Sequence, residues 1–294
     1  MNHELVYDVG MNNGADTAYY LHRGFNVVAI EADPTLCATA AVRFRREIAE
    51  GRLSLLNVGV AETAGTAEFW ICEANSAWNS FHRSIASRDG LPHHSVEVPC
   101  QPFEQILERF GIPFYLKVDI EGNDLLCLGG LRKYLSASGG DDRPRYVSVE
   151  IGKIDKYLDA LAPLGFGRFK LISQYNFLPL QIPPSKEARR YVFWQRMKAG
   201  KDPSARLGRW LLRNLGQQRR IAQLRDRTRR WGNWTFPFGS SGPFGEDTPG
   251  EWQALQDVRR TFNTLSAMAK QRVSSPYWGE KDYSFWVDLH ATHA

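Results

Sequence analysis

Lys117, Asp119 and Glu121 alternate within the run Leu116-Lys-Val-Asp-Ile-Glu-Gly122. On a strand this spacing turns all three toward one face. Ionisable groups on a core strand are costly unless they are paired or used. Removing a proton from an acceptor hydroxyl, or aligning that acceptor, is chemistry such groups perform. Near the N-terminus, Asp8 precedes the turn Gly10-Met-Asn-Asn-Gly14. Glycines there let a ligand approach the backbone, and the N–H groups of the helix that follows face it. Glu31 ends the apolar run Asn26-Val-Val-Ala-Ile30, and an acid at the tip of a second strand is placed to grip a ribose diol.

The turn lacks the G-x-G-x-x-G spacing of a pyrophosphate binder, which argues against a dehydrogenase. Asp8 would repel a pyrophosphate but suits a cation such as the ammonium and sulfonium end of S-adenosylmethionine. His82 lies in a polar loop with Asn79 and Ser80 and is a candidate general base, although an exposed loop histidine is the plainer reading. Asp119 and Glu150 both end strands, so they are the candidates for a hard divalent cation. The sequence offers no third ligand, so a divalent metal is admitted but not expected.

Elements that could hold these residues follow in order. A strand over 5–9, the glycine turn and a helix over 16–23 come first. Asp33-Pro34 then opens a helix that carries through Thr35 to Glu50, with proline in its first turn. Leu53 to Val60 reads as a third strand. Strands over 65–73 and 95–100 flank the loop 75–92, an excursion expected to cover the ligand crevice. Core strands over 114–122 and 144–151 enclose a helix over 123–135, expected to break at Gly129-Gly130. Alternating strands and helices give an α/β fold with a mostly parallel sheet covered on both faces.

Composition is that of an ordinary globular chain, 43% hydrophobic and 23% charged. Neither a membrane-spanning run nor a charged-then-apolar leader is present, and the four cysteines form no C-x-x-C pair. A reduced, cytoplasmic setting is expected. The net charge of +5 is uneven: residues 186–230 hold 15 Lys/Arg against three acids. Such a stretch is either a surface for an anionic partner or a solvated helix face.

Asp8-Val-Gly-Met-Asn-Asn-Gly14, Glu31, Asn57-Val-Gly-Val-Ala-Glu-Thr-Ala-Gly65 and Leu116-Lys-Val-Asp-Ile-Glu-Gly122 together resemble the FkbM family of class I S-adenosylmethionine-dependent methyltransferases. The likeness covers roughly residues 5–175. Met11 and Ala32 depart from the family's common Ala and Pro. The resemblance implies a Rossmann-like, doubly wound, seven-stranded sheet with a large C-terminal insertion. It also implies methyl transfer to a hydroxyl of a sugar, glycan or related natural product, leaving S-adenosylhomocysteine. Gly10, Asn12 and Gly14 would shape the pocket for the methionine end, with Asp8 organising the turn or meeting the ammonium. Glu31 and Ala32 would lie at the ribose, and Asn57 and Val58 at the adenine. Asp119 would contact cofactor or acceptor, with Glu121, Lys117 and His82 as further catalytic candidates.

The expected organisation is a cofactor-binding core over 1–174, an acceptor-binding or lid insertion over 175–282, and a last strand over 283–294 returning to the sheet edge. A rival last strand is 191–194. Within the insertion, 204–226 reads as an amphipathic helix. The aromatic run from Trp231 to Gly250 offers Trp231, Trp234, Phe236, Phe238, Phe244, Glu246 and Asp247 for stacking on and bonding a sugar. Self-packing of those aromatics is the equal alternative. Expected partners are a small-molecule or glycan acceptor, with anionic or membrane-associated ones admitted and nucleic acid disfavoured. A nucleic-acid methyltransferase and a non-catalytic S-adenosylmethionine-binding protein are the alternatives in function.

Overall fold

The computed structural model describes residues 2–139, 142–186, 189–190, 230–237, 239–270 and 285–293. The expected helix over 204–226, most of the basic stretch, the rival strand 191–194, Phe238 and residues 283–284 lie outside the described residues.

Strand β1 (Asn2–Val9) leads through the glycine turn to α1 (Ala15–His22) and β2 (Asn26–Glu31). Helix α2 (Pro34–Arg43) begins where Asp33 accepts from Thr35 N at 2.8 Å and Leu36 N at 3.3 Å, with Pro34 in its first turn. The expected single helix to Glu50 is in fact two, since Phe44 leaves helical geometry before α3 (Arg45–Ala49). The reason lies at Gly14, where any Cβ would press into the Phe44 ring at 2.7 Å. That ring is pulled inward against the glycine turn, and the helix yields.

The third strand also divides. β3 (Leu53–Asn57) stays in the main sheet, whereas β4 (Gly59–Val60) leaves it for a second sheet with β5 (Gly65–Cys72) and β6 (His93–Gln101), ordered β4-β6-β5. Between β5 and β6 runs the loop that carries α4 (Arg83–Ala86). Phe69, Val98 and Cys100 of this small sheet pack around Ala32. α5 (Phe103–Phe110), β7 (Pro113–Val118) and α6 (Asp124–Ser138) follow. Gly129-Gly130 does not break α6. A Cβ at Gly130 would meet Phe103 Cβ at 2.8 Å, so this glycine is where α5 presses against α6. A packing requirement has outweighed helix propensity.

β8 (Tyr146–Glu150), α7 (Ile154–Leu161) and β9 (Phe166–Ser173) complete the first part of the chain. β10 (Arg230–Trp231) and β11 (Trp234–Thr235) form a short hairpin, and β12 (Gln253–Ala254), α8 (Leu255–Lys270) and β13 (Val287–His293) follow. The main sheet has eight strands in the order β12-β9-β13-β8-β7-β1-β2-β3, with the pairs among β3, β2, β1, β7 and β8 parallel. The eighth strand beyond the expected seven is the two-residue β12, antiparallel to β9. β13 lies between β9 and β8 rather than at the edge. Thr292 bonds to Arg145 O, while Ile151 N bonds to Val287 O, so β13 runs opposite to β8. Interior position suits its buried residues, Val287 to Thr292.

The chain divides into two compact units. The first comprises 1–150, 156–166 and 291–294, and holds every residue expected to bind cofactor. The second comprises 151–155 and 167–290. Within it, Phe236 and Phe244 are core residues, Phe236 edge-on to Phe177 at 5.4 Å. Glu246 accepts from Trp252 Nε1 at 3.0 Å. The sugar-stacking expectation therefore loses Phe236 and Phe244, whose faces are turned inward because burial of an aromatic ring outweighs display.

Candidate active site

The glycine turn is held from two sides. Gly10 N and Met11 N donate to Ile30 O at 2.9 and 3.0 Å, which continues the β1–β2 pairing past the strand end. Lys117 Nζ donates to Gly10 O and to Asp8 Oδ1, both at 2.9 Å. Gly10 (φ 81), Asn12 (φ 50) and Gly14 (φ 71) are left-handed. A Cβ at Gly10 would run into the carbonyl oxygen of Asp119. Absence of a side chain there is what brings the ends of β1 and β7 together.

Glu31 closes the turn from the β2 tip. Its Oε2 accepts from Asn12 N at 2.7 Å and its Oε1 from Asp33 N at 2.9 Å. Each oxygen keeps a second lone pair, so the carboxylate can still take two donors. Burial pushes its pKa up to about 7, against the pull of the two N–H groups and Lys117. Asn57 Nδ2 bonds to Glu31 O and Ala32 O at 2.9 and 3.1 Å, and Val58 N to Glu31 O at 3.2 Å, so these residues set the β2–β3 edge of the site.

Asp8 does not reach the crevice. It is wholly buried, with Oδ1 on Lys117 and Oδ2 accepting from Thr17 Oγ1 at 2.6 Å. Its observed contacts organise the turn. Lys117 is buried as well; burial works against its charge, but Asp8, Asp119 and Asp16 outweigh that and raise its pKa above the ordinary lysine value. The expected common face of Lys117, Asp119 and Glu121 does not form. β7 ends at Val118, and Glu121 sits in a turn at φ 48, which breaks the two-residue alternation.

That second turn has its own supports. Asp124 accepts from Ile120 N at 3.1 Å and Gly122 N at 3.2 Å, and Ser80 Oγ donates to Glu121 O at 2.7 Å. Asp119 and Glu121 are half-buried. Burial, then the charge of Asp119, pushes the Glu121 carboxyl up to about 7. His82 is exposed, yet a Cβ at Gly122 would meet its Cδ2 at 2.6 Å, so its ring lies against this turn. Glu150 ends β8, and its charge reaches Tyr157 along with those of Asp124, Asp119 and Glu121. Among the described residues no group of three or more His, Cys, Asp or Glu is arranged to hold a metal.

The loop after β5 is tied to three strand ends. Ser76 Oγ donates to Asn12 Oδ1 at 2.9 Å, Asn79 Nδ2 to Asp33 Oδ2 at 2.9 Å, and Ser80 reaches Glu121. Sequence reasoning placed this loop over the crevice but missed Ser76, Arg88 and Asp124. Asp124 had a signal, as an acid in the first turn of a helix; Arg88 had none. Glu31, Asp33 and Asp124, which are buried, and Asp119 and Glu121, which are half-buried, gather acids at these strand ends, and such an excess suits a cationic ligand better than a pyrophosphate.

An α/β sheet carries a glycine turn at one strand end, a carboxylate at the next strand tip and acids at a third. The chain matches the family described as the methyltransferase FkbM domain over residues 8–178, more than half its length, and belongs to that family. Membership implies S-adenosylmethionine as methyl donor. The lone pairs left on Glu31 and the acids gathered at the strand ends fit that group. The chain is also similar to the crystal structure of precorrin-6y C5,15-methyltransferase from Geobacter metallireducens GS-15, at 10% identity over 59% of this chain and 70% of that one, TM-score 0.32. A likeness of that size bears on neither activity nor substrate. No curated protein sequence matches. Among the described residues no helix is long and apolar enough to cross a membrane.

Proposed function

We propose that the chain is an S-adenosylmethionine-dependent O-methyltransferase acting on a hydroxyl of a sugar, glycan or related natural product. The observation that carries this reading is Glu31, drawn onto the glycine turn by two backbone N–H groups with two acceptor sites left for a diol. The order β3-β2-β1-β7-β8-β13-β9 supports a class I methyltransferase sheet, with 175–282 as an insertion ahead of the last strand. Bound S-adenosylmethionine supplies an electrophilic methyl group for in-line displacement by an acceptor oxygen.

The chain's residues then divide the work. Gly10, Asn12 and Gly14 line the methionine end, Glu31 takes the ribose hydroxyls, and Ala32, Asn57 and Val58 border the base. Lys117 and Asp8 hold the glycine turn rather than touch substrate. Glu121, with a pKa near 7, or His82 beside it takes the acceptor proton, and Asp119 aligns the acceptor. Titration calorimetry with S-adenosylhomocysteine and NAD tests the reading. Micromolar S-adenosylhomocysteine binding, silence with NAD, and a loss of about a hundredfold or more in Glu31→Ala are expected. Unchanged affinity in Glu31→Ala would remove the ribose assignment.

A further inference from the structure

Two arginines on the rim loop are held in place in a way that the methyl-transfer reading does not use. Arg83, the first residue of α4, lays its guanidinium over the Trp70 ring at 4.9 Å. Its Nε donates to His93 Nε2 at 3.2 Å. His93 Nε2 is therefore an acceptor, which puts its proton on Nδ1, 2.9 Å from Leu91 O. The imidazole is thus a neutral clamp, and it leans on the same Trp70 at 5.6 Å between centroids. The Nη1 and Nη2 groups of Arg83 have no hydrogen-bond partner among the described residues, and the residue is exposed. Glu73, a nearby carboxylate, is engaged with His94 at 3.1 Å.

Arg88 repeats the arrangement. Its guanidinium stands 5.7 Å from the Trp78 ring centroid while Nη2 meets Glu121 Oε2 at 3.2 Å, leaving the arginine side chain 43% exposed. Both arginines are linked to the catalytic turn. Trp70 exchanges backbone hydrogen bonds with Ser80 at 2.8 and 3.0 Å, Ser80 holds Glu121, and the His82 ring beside Arg83 lies on Gly122. A guanidinium fixed on an aromatic face loses little freedom when it binds a further group. Its planar fork matches the two oxygens of a carboxylate or the edge of a phosphate.

We propose that the Arg83 fork, seconded by Arg88, is an anion subsite that selects acceptors bearing a carboxylate or phosphate near the hydroxyl to be methylated. The inference rests on the methyltransferase reading, which it narrows from hydroxylated acceptors in general to acidic ones. It assigns Trp70 and His93 as positioning residues for Arg83. It also gives Glu121 two neighbours of opposite use, a guanidinium that keeps it oriented and an acceptor whose proton it receives.

The test is calorimetry on the full chain saturated with S-adenosylhomocysteine, titrated separately with glucuronate, glucose 6-phosphate and glucose. Saturation itself reports on the cofactor reading, so a failure there is told apart from a failure of the anion subsite. At least one of the two acids should bind about tenfold tighter than glucose, and which one does so separates carboxylate from phosphate. Arg83→Gln should erase that preference while S-adenosylhomocysteine affinity stays as in the parent. His93→Phe, which keeps the ring but drops the clamp, should weaken the acid by a smaller factor. Equal binding of all three sugars, or a preference that survives Arg83→Gln, overturns the proposal.

Discussion

Among the described residues two lysines are buried on strands, and they are solvated in opposite ways. Lys117, on β7 of the first unit, is 3% exposed and sits 2.9 Å from the Asp8 carboxylate, itself 0% exposed. Lys170, on β9 of the second unit, is equally buried. It is held by Thr248 O at 2.9 Å, Thr248 Oγ1 at 3.1 Å and the face of Trp252 at 4.4 Å. Burial lowers the pKa of Lys170, whereas the acids around Lys117 raise it. Lys170 makes its direct contacts with neutral oxygens and a ring, and the only carboxylate charge that acts on it among the described residues, that of Glu246, does not offset its burial. A full carboxylate partner is added where the same lysine must also fix a backbone turn, through Gly10 O.

The largest effect should come from separating the charged pair. Lys117→Met strands the Asp8 charge in the core and should cost about 3–5 kcal/mol, read by urea denaturation. The matching Lys170→Met leaves Thr248 still donating to Gly245 O at 2.6 Å. The Thr248 carbonyl oxygen loses its donor, so the change should cost about 1–2 kcal/mol, well below the loss at Lys117. Comparable losses at the two sites would end the contrast.

Activity should separate from stability at the second turn. Glu121→Gln removes a proton acceptor but only a part-exposed ion pair. Turnover should fall by roughly 10²-fold or more, with less than about 1 kcal/mol of stability lost. If turnover is unchanged, His82 or Asp119 carries the proton transfer. The pH dependence sharpens the same point. The Glu121 carboxyl titrates near 7 in the folded chain against 4.5 when unfolded, so between those values the folded chain keeps a proton that the unfolded chain has released. The resulting stabilisation is full below about 4.5 and is lost as the pH rises past about 7. The stability of Glu121→Gln relative to the parent, at most about 1 kcal/mol lower near pH 5, should therefore rise by about 1–3 kcal/mol as the pH goes from 5 to 8.

The smallest effect concerns His290. It is buried on β13, neutral with its pKa pushed down to about 3 by burial and Lys170, and neither ring nitrogen has a hydrogen-bond partner among the described residues. His290→Leu should be neutral or stabilising by about 1 kcal/mol, measured by thermal melting.

Local chemistry made part of this legible in advance. Short apolar runs located β1, β2 and β7, Asp33-Pro34 marked the start of α2, and Gly10-Met-Asn-Asn-Gly14 with Glu31 marked the turn and its neighbour, because each of these signals is local to its own stretch of chain. What was misread depended on partners far away in sequence. Phe44 broke a helix because of Gly14, Gly130 stayed helical because of Phe103, and Lys117 turned to Asp8 while Glu121 left the strand. Arg88 on Glu121 and Ser76 on Asn12 had no local trace at all. The sequence by itself determined that the glycine turn and Glu31 would stand together at neighbouring strand ends, since glycine and carboxylate act where they stand. Only the tertiary structure decided which acids are locked in the interior and which remain at the rim, because that depends on what the rest of the chain packs against them.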